Sequence, residues 1–169
     1  MVARAGVRRT RFLFAIGFSC LASVVAASQA AIPVVLSEPQ RAHMKGERFD
    51  PVTSMRGLPL GVRDELTTLF GGSSLDIAAP GDPFQVTAVV VDPRLPLRRL
   101  VVAGCSTDHC VFYYERGGTA HTWQVLLFHW TPAATRVELG GIAPGGLKSL
   151  QDVINAVLSG AIKGPTKVW

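Results

Sequence analysis

Residues 97–130 read LRRLVVAGCSTDHCVFYYERGGTAHTWQVLLFHW, and their patterning decides the fold. Leu97 to Gly104, Cys110 to Glu115 and His121 to Trp130 are strand-length runs rich in β-branched and aromatic residues. The last two are joined at Arg116-Gly117-Gly118, a glycine-bearing hairpin connection. Upstream, Phe84 to Val91 reads as another strand, broken by Asp92-Pro93-Arg94-Leu95-Pro96; downstream, Thr131-Pro132-Ala133-Ala134 leads into a fifth, Thr135 to Leu139. Successive strands with such short connections predict an antiparallel meander of about five strands.

The flanks switch to a helical period. Val62, Leu66, Leu69 and Phe70 fall on one face of a helix that follows Pro59 and ends at Gly71-Gly72. Leu150, Val153, Ile154, Val157 and Leu158 form a second apolar face, with Ser149 and Asp152 spaced as a capping box and Gly160 placed for the C-cap. The expectation is an α+β domain over residues 58–169, its sheet flanked by an N-terminal and a C-terminal helix. Residues 31–57 carry Pro33, Pro39 and Pro51 and no sustained period, which predicts a flexible, loosely docked arm.

The first 30 residues form a leader. Arg4, Arg8, Arg9 and Arg11 precede an apolar run from Phe12 to about Ala27, and Ser28-Gln29-Ala30 offers small residues before Ala31. This is the pattern of a signal peptide cleaved after Ala30; the run is shorter than the ~20 residues of a membrane-spanning helix. A lipid anchor on Cys20 is disfavoured, because Gly17-Phe18-Ser19 lacks the usual Leu. The expected location is the periplasm or beyond, with no stable membrane anchor. The chain of 169 residues has a formal charge of +5, but four of its 17 basic residues lie in the leader, leaving 13 against 12 acidic ones. A nearly neutral exported domain has no basic groove for nucleic acid.

Export leaves two cysteines, Cys105 and Cys110, in a compartment where disulfides persist, so they are expected to pair. A ring of about six residues contributes roughly 2 kcal/mol through loop entropy, so its main effect is to fix the backbone of Ser106, Thr107, Asp108 and His109. The bridge either tidies a tight turn or presents a rigid polar loop to another molecule, and rigidity lowers the ordering cost of association. Chemistry within the ring is harder to build. Cys-x4-Cys is not a thiol redox motif. Cys105, Asp108, His109 and Cys110 are too close in sequence to surround a zinc ion, and Ser106, Asp108 and His109 are too confined to align as a hydrolytic triad. No catalytic residue, cofactor or metal is therefore assigned, and no enzyme activity is expected.

Other candidates have plainer readings. His121 and His129 share a strand face with Trp123 and read as sheet residues. Phe112, Tyr113, Tyr114, Trp123, Phe128 and Trp130 read as packing, with an aromatic sheet surface that binds an envelope component as the alternative. His43 and the charged run Lys45 to Arg48 read as a solvated stretch.

The chain resembles the inhibitors of vertebrate lysozyme, small periplasmic bacterial proteins with a protruding disulfide loop, Cys-Lys-Pro-His-Asp-Cys. The resemblance rests on the equal ring size at Cys105-Ser106-Thr107-Asp108-His109-Cys110, on the flanking Leu100-Val101-Val102-Ala103-Gly104 and Val111-Phe112-Tyr113-Tyr114, and on Ile154-Asn155-Ala156-Val157-Leu158-Ser159-Gly160 as a closing helix. It spans roughly Pro83 to Trp169, with a fainter likeness over Gly57 to Gly71. Asp108 here precedes His109, reversing that order, and Ser106-Thr107 replaces Lys-Pro. The resemblance implies that Ser106, Thr107, Asp108 and His109 form a target-binding loop, that His109 enters the cleft of a lysozyme between its two catalytic carboxylates, and that the partner is a lysozyme, with a second copy of the chain as a further candidate partner.

Overall fold

The computed structural model describes residues 31–72, 74–89 and 92–164; the expected leader lies outside them. Three helices and five strands run in the order α1 (Glu38–Lys45), β1 (Asp50–Val52), α2 (Leu60–Leu69), β2 (Arg98–Cys105), β3 (His109–Arg116), β4 (Thr122–Trp130), β5 (Thr135–Ile142) and α3 (Leu150–Leu158). The strands form one antiparallel sheet in sequential order, β1 to β5, so the expected α+β meander is present. Cys105 stands opposite Cys110, Phe112 opposite Leu126, and Leu127 opposite Leu139.

Both faces of the sheet are covered, which is why its centre is apolar at nearly every position instead of alternating with polar residues. On one face Val62 and Leu66 of α2 pack over Leu100, Ala103, Phe112, Tyr114, Leu126 and Phe128. On the other, Val153, Ile154, Ala156 and Val157 of α3 and Met44 of α1 cover Val111, Tyr113, Val125 and Leu127. Val153 and Val157 are fully buried, each contributing about 1.5–3 kcal/mol by leaving water. The expected capping box closes the start of α3: the Ser149 hydroxyl accepts from the Asp152 N–H, and the Asp152 carboxylate accepts from the Ser149 N–H, both at 3.1 Å. The Ser149 side chain first, and its backbone N–H second, hold the Asp152 carboxyl below its ordinary value. Gly71 and Gly160 take positive φ of 70° and 72° just past α2 and α3, as a helix stop requires.

Two expectations are corrected. Residues 31–57 are not a loose arm: Leu36 and Met44 are buried, and β1 pairs with β2. Pro39 sits in the first turn of α1, where the missing N–H would have had no helical partner, and Pro51 lies on the edge strand, where a proline is tolerated. Phe84 to Val91 does not form a strand over its described part. The buried Gln85 amide donates to the carbonyls of Thr87 and Val89 and curls the segment, leaving a single bridge from Thr87 to Gly118. The fifth strand is β1 instead. It covers one end of the β2 edge, while Ala78 bridges Arg99 at the other, so little of that edge is left to pair with another chain.

The two tyrosines report on the packing. Both are fully buried; Tyr113 donates to the Pro144 carbonyl at 2.8 Å and Tyr114 to Gln124 at 2.6 Å. Burial pushes Tyr113 from its ordinary 10.0 up to about 12, and raises Tyr114 as well. Stability from burying the neutral phenols is complete below pH 10 and is lost as pH rises through the raised values. An absorbance titration of the folded protein is expected to show almost no phenolate at pH 10, with Tyr113 ionising near 12, whereas the denatured chain titrates near 10. Phenolate forming near 10 in the folded protein would contradict this packing.

Candidate functional site

The four residues between Cys105 and Cys110 close the β2–β3 hairpin, and the disulfide joins directly opposed residues with Cα atoms 4.1 Å apart. Ser106 shapes the turn. Its N–H donates to the His109 carbonyl at 2.7 Å, and its hydroxyl oxygen accepts from the N–H groups of Asp108 and His109 at 3.3 and 2.9 Å. A serine that accepts local backbone protons replaces the glycine a tight hairpin often needs, and no non-glycine residue among those described has positive φ.

The turn is docked against neighbouring elements. Trp130 N–H donates to the Asp108 carbonyl at 2.8 Å, so the end of β4 backs the loop almost to its tip. Thr107 is exposed, the Asp108 side chain is 40% exposed, and His109 is buried. His109 belongs to β3 and occupies the same face as Val111 and Tyr113, which points its ring inward towards α1. The expectation that His109 reaches out to a target is corrected on this point: strand alternation turns the imidazole into the domain, and Thr107 and Asp108 form the outward part of the loop.

Buried in this way, His109 meets groups that lie far away in sequence. Nδ1 is 2.7 Å from Glu47 Oε1, and Nε2 is 3.2 Å from Glu138 Oε2. A neutral imidazole carries one N–H donor, so a ring set between two carboxylates bonds to both only if it carries a second proton or a carboxyl carries one. Glu138 is brought here by a β-bulge: Leu127 faces Leu139 while Phe128 faces Val137, so Glu138 is the extra residue and is re-aimed onto the His109 face. Arg136 grips its other oxygen at 2.7 Å. Burial alone would raise the Glu138 carboxyl, but the Arg136 hydrogen bond, with the charge and hydrogen bond of His109, outweighs it and holds the group below the ordinary carboxylate value.

Glu47 is similarly fixed at both oxygens. The Ser106 hydroxyl donates to Oε2, and Oε1 faces His43 Nε2 at 2.8 Å as well as His109. His43 Nε2 is also 3.1 Å from Asp108 Oδ2. The reading of His43 and Lys45 to Arg48 as a solvated stretch therefore holds for His43, Lys45 and Arg48, which are exposed, although His43 also meets two carboxylates, and fails for Glu47, whose side chain is nearly covered. The i, i+4 spacing of His43 and Glu47 was the available signal; nothing local to that stretch announces the long-range partner.

Elsewhere the plainer readings stand, with one correction. His129 lies in β4 as read and meets His109 edge-on at 5.4 Å; His121 falls just before β4, not in the sheet, and stacks on Trp123 at 4.5 Å. Phe112, Tyr113, Tyr114 and Phe128 are fully buried, so the aromatic sheet surface carried as an alternative binding face is packed beneath helices, with Trp123 and Trp130 partly exposed. Among the described residues no helix is long and apolar enough to cross a membrane. Compared with known proteins, the chain matches no family model, no curated protein and no solved structure.

The roles of Ser106 and Thr107 separate by experiment. Ser106→Ala removes the acceptor for two loop N–H groups and the donor to Glu47, and is expected to cost about 1–3 kcal/mol in urea unfolding. Thr107→Ala, at the exposed tip, is expected to stay within about 0.5 kcal/mol of the parent. Equal effects would show that Ser106 does not organise the turn.

Proposed function

We propose that the chain is an exported, non-catalytic binding protein of the lysozyme-inhibitor kind, and that it blocks a lysozyme cleft with the disulfide-closed end of the β2–β3 hairpin. The observation that carries this reading is the preorganised loop: the Cys105–Cys110 bond, the Ser106 hydrogen bonds and the Trp130–Asp108 contact hold Thr107 and Asp108 in one arrangement at the surface. Little ordering entropy remains to be lost when such a loop docks. The disulfide is consistent with an oxidising compartment, in keeping with the leader.

The contact differs from the one the resemblance implies. His109 supports the loop from inside. The imidazole beside Asp108 that a partner can reach belongs to His43, whose side chain is 52% exposed. Thr107, Asp108 and His43 together offer a hydroxyl, a carboxylate and an imidazole edge. A lysozyme cleft displays a protonated acid and an ionised carboxylate, and these can bond to such groups while the bulk of the hairpin excludes substrate.

In an assay of cell-wall lysis, the disulfide-intact protein is expected to inhibit a vertebrate-type lysozyme saturably. Asp108→Ala and Thr107→Ala are each expected to weaken inhibition about tenfold or more, equivalent to about 1.4 kcal/mol. Changing both cysteines to Ser is expected to weaken it further. Absence of inhibition across vertebrate-type and other lysozymes would overturn the function; full potency in all these variants would overturn the loop mechanism.

A further inference from the structure

The corner between α1 and the hairpin contains a donor set of which the proposed lysozyme contact uses only the exposed edge of His43. His43 Nε2 and His109 Nδ1 both face a single oxygen, Glu47 Oε1, at 2.8 and 2.7 Å, and one ligand atom from each of the three residues lies within 4.8 Å of the others. The two rings stand nearly perpendicular, at 79°, with centroids 5.3 Å apart. We propose that His43, Glu47 and His109 bind a divalent transition-metal ion of the zinc class, with one coordination position left open beside Asp108. The site shares His43 with the proposed lysozyme contact, but metal binding is measured on the protein alone and stands or falls whether or not lysozyme is inhibited.

The residue types select the metal. Two imidazoles and a carboxylate suit zinc and its transition-metal neighbours, whereas magnesium and calcium take oxygen donors. Three protein ligands with an open fourth position is the arrangement of zinc sites that hold a water or an external group. At zinc-to-ligand distances of about 2.0–2.2 Å, tetrahedral ligand atoms lie about 3.3 Å apart. Each imidazole nitrogen therefore has to draw back from Glu47 Oε1 by about half an ångström to admit the ion. His43 is on the half-exposed side and has the freedom to move, which also leaves a path from solvent.

The groups behind the ligands are set as a metal site requires. Glu138 faces His109 Nε2 at 3.2 Å and can accept its proton, so that with an ion bound the Nδ1 lone pair is available as a ligand. Arg136 in turn fixes Glu138 at 2.7 Å. The Ser106 hydroxyl occupies Glu47 Oε2, so Oε1 is the oxygen free to ligate. Local charge favours a dication, since Glu47, Glu138 and Asp108 all converge here against the single guanidinium of Arg136. The disulfide and the Ser106 turn fix the backbone of His109, while Gly46 continues the helical turn after α1 with φ −83° and ψ −8°, keeping Glu47 on the same side as His43.

The test is calorimetric titration of the chelator-stripped, disulfide-intact protein with zinc chloride, followed by cobalt(II) as an optical probe. The expected result is one zinc per chain with a Kd of about 10 μM or tighter, and visible cobalt d–d bands of a low-coordinate nitrogen and oxygen site. His43→Ala and Glu47→Gln are each expected to weaken zinc binding about 100-fold, and Glu138→Gln about 10–100-fold with a shifted cobalt spectrum. His121→Ala is expected to change nothing. Because His43 is half exposed, its variant keeps the fold, checked by circular dichroism. Failure to saturate at about 1 mM zinc would overturn the proposal and leave the cluster as a hydrogen-bonded strut alone. So would binding unchanged in both His43→Ala and Glu47→Gln, or lost equally in His121→Ala.

Discussion

The hairpin end depends on one buried line of polar contacts, Glu47 to His109 to Glu138, at 2.7 and 3.2 Å. It joins the turn after α1, the start of β3 and the bulge of β5, three places that apolar packing alone would leave free to shift against one another. Its net worth is a balance. Desolvating the carboxylates costs several kcal/mol, repaid only if every lone pair and proton finds a partner, and removal of one member typically costs about 3–5 kcal/mol because the others are stranded. Here the partners are present: Ser106 and His43 satisfy Glu47, and Arg136 satisfies Glu138.

From that line follows a division of labour within the loop. His109 and Ser106 look inward and build the turn, while Thr107 and Asp108 look outward and can meet a partner. The same inward convergence brings His43, Glu47 and His109 to one point. Recognition of a partner and binding of a metal ion thus involve adjacent sides of one rigid corner, with Asp108 on the boundary between them.

Sequence reading found the elements whose period is long and whose side chains agree with it. β2 to β4 and α3 each run eight or nine residues, with caps or hairpin signals at their ends, so local preference and final structure coincide. α1 was missed because it is mostly polar and buries only Met44, and β1 because it has three residues; in both, Pro39 and Pro51 look like breakers until one knows that the first is in a helix's first turn and the second on a sheet edge. Phe84 to Val91 misled for the opposite reason, since its apolar composition hid Gln85, a buried polar residue whose amide folds the segment back. The loop itself was located correctly and its pairing is present, but the direction of His109 was not legible. That direction depends on where β3 begins, on the extra residue in β5, and on a partner 62 positions away in sequence.

The most direct measurement is a double-mutant cycle in urea between Glu47→Gln and His109→Ala, performed with divalent metals chelated. If the buried line organises this corner, the two substitutions are strongly non-additive, with a coupling of about 1 kcal/mol or more. Additivity within about 0.3 kcal/mol would contradict the account, because it would mean that His109 and Glu47 do not act on each other in the folded protein.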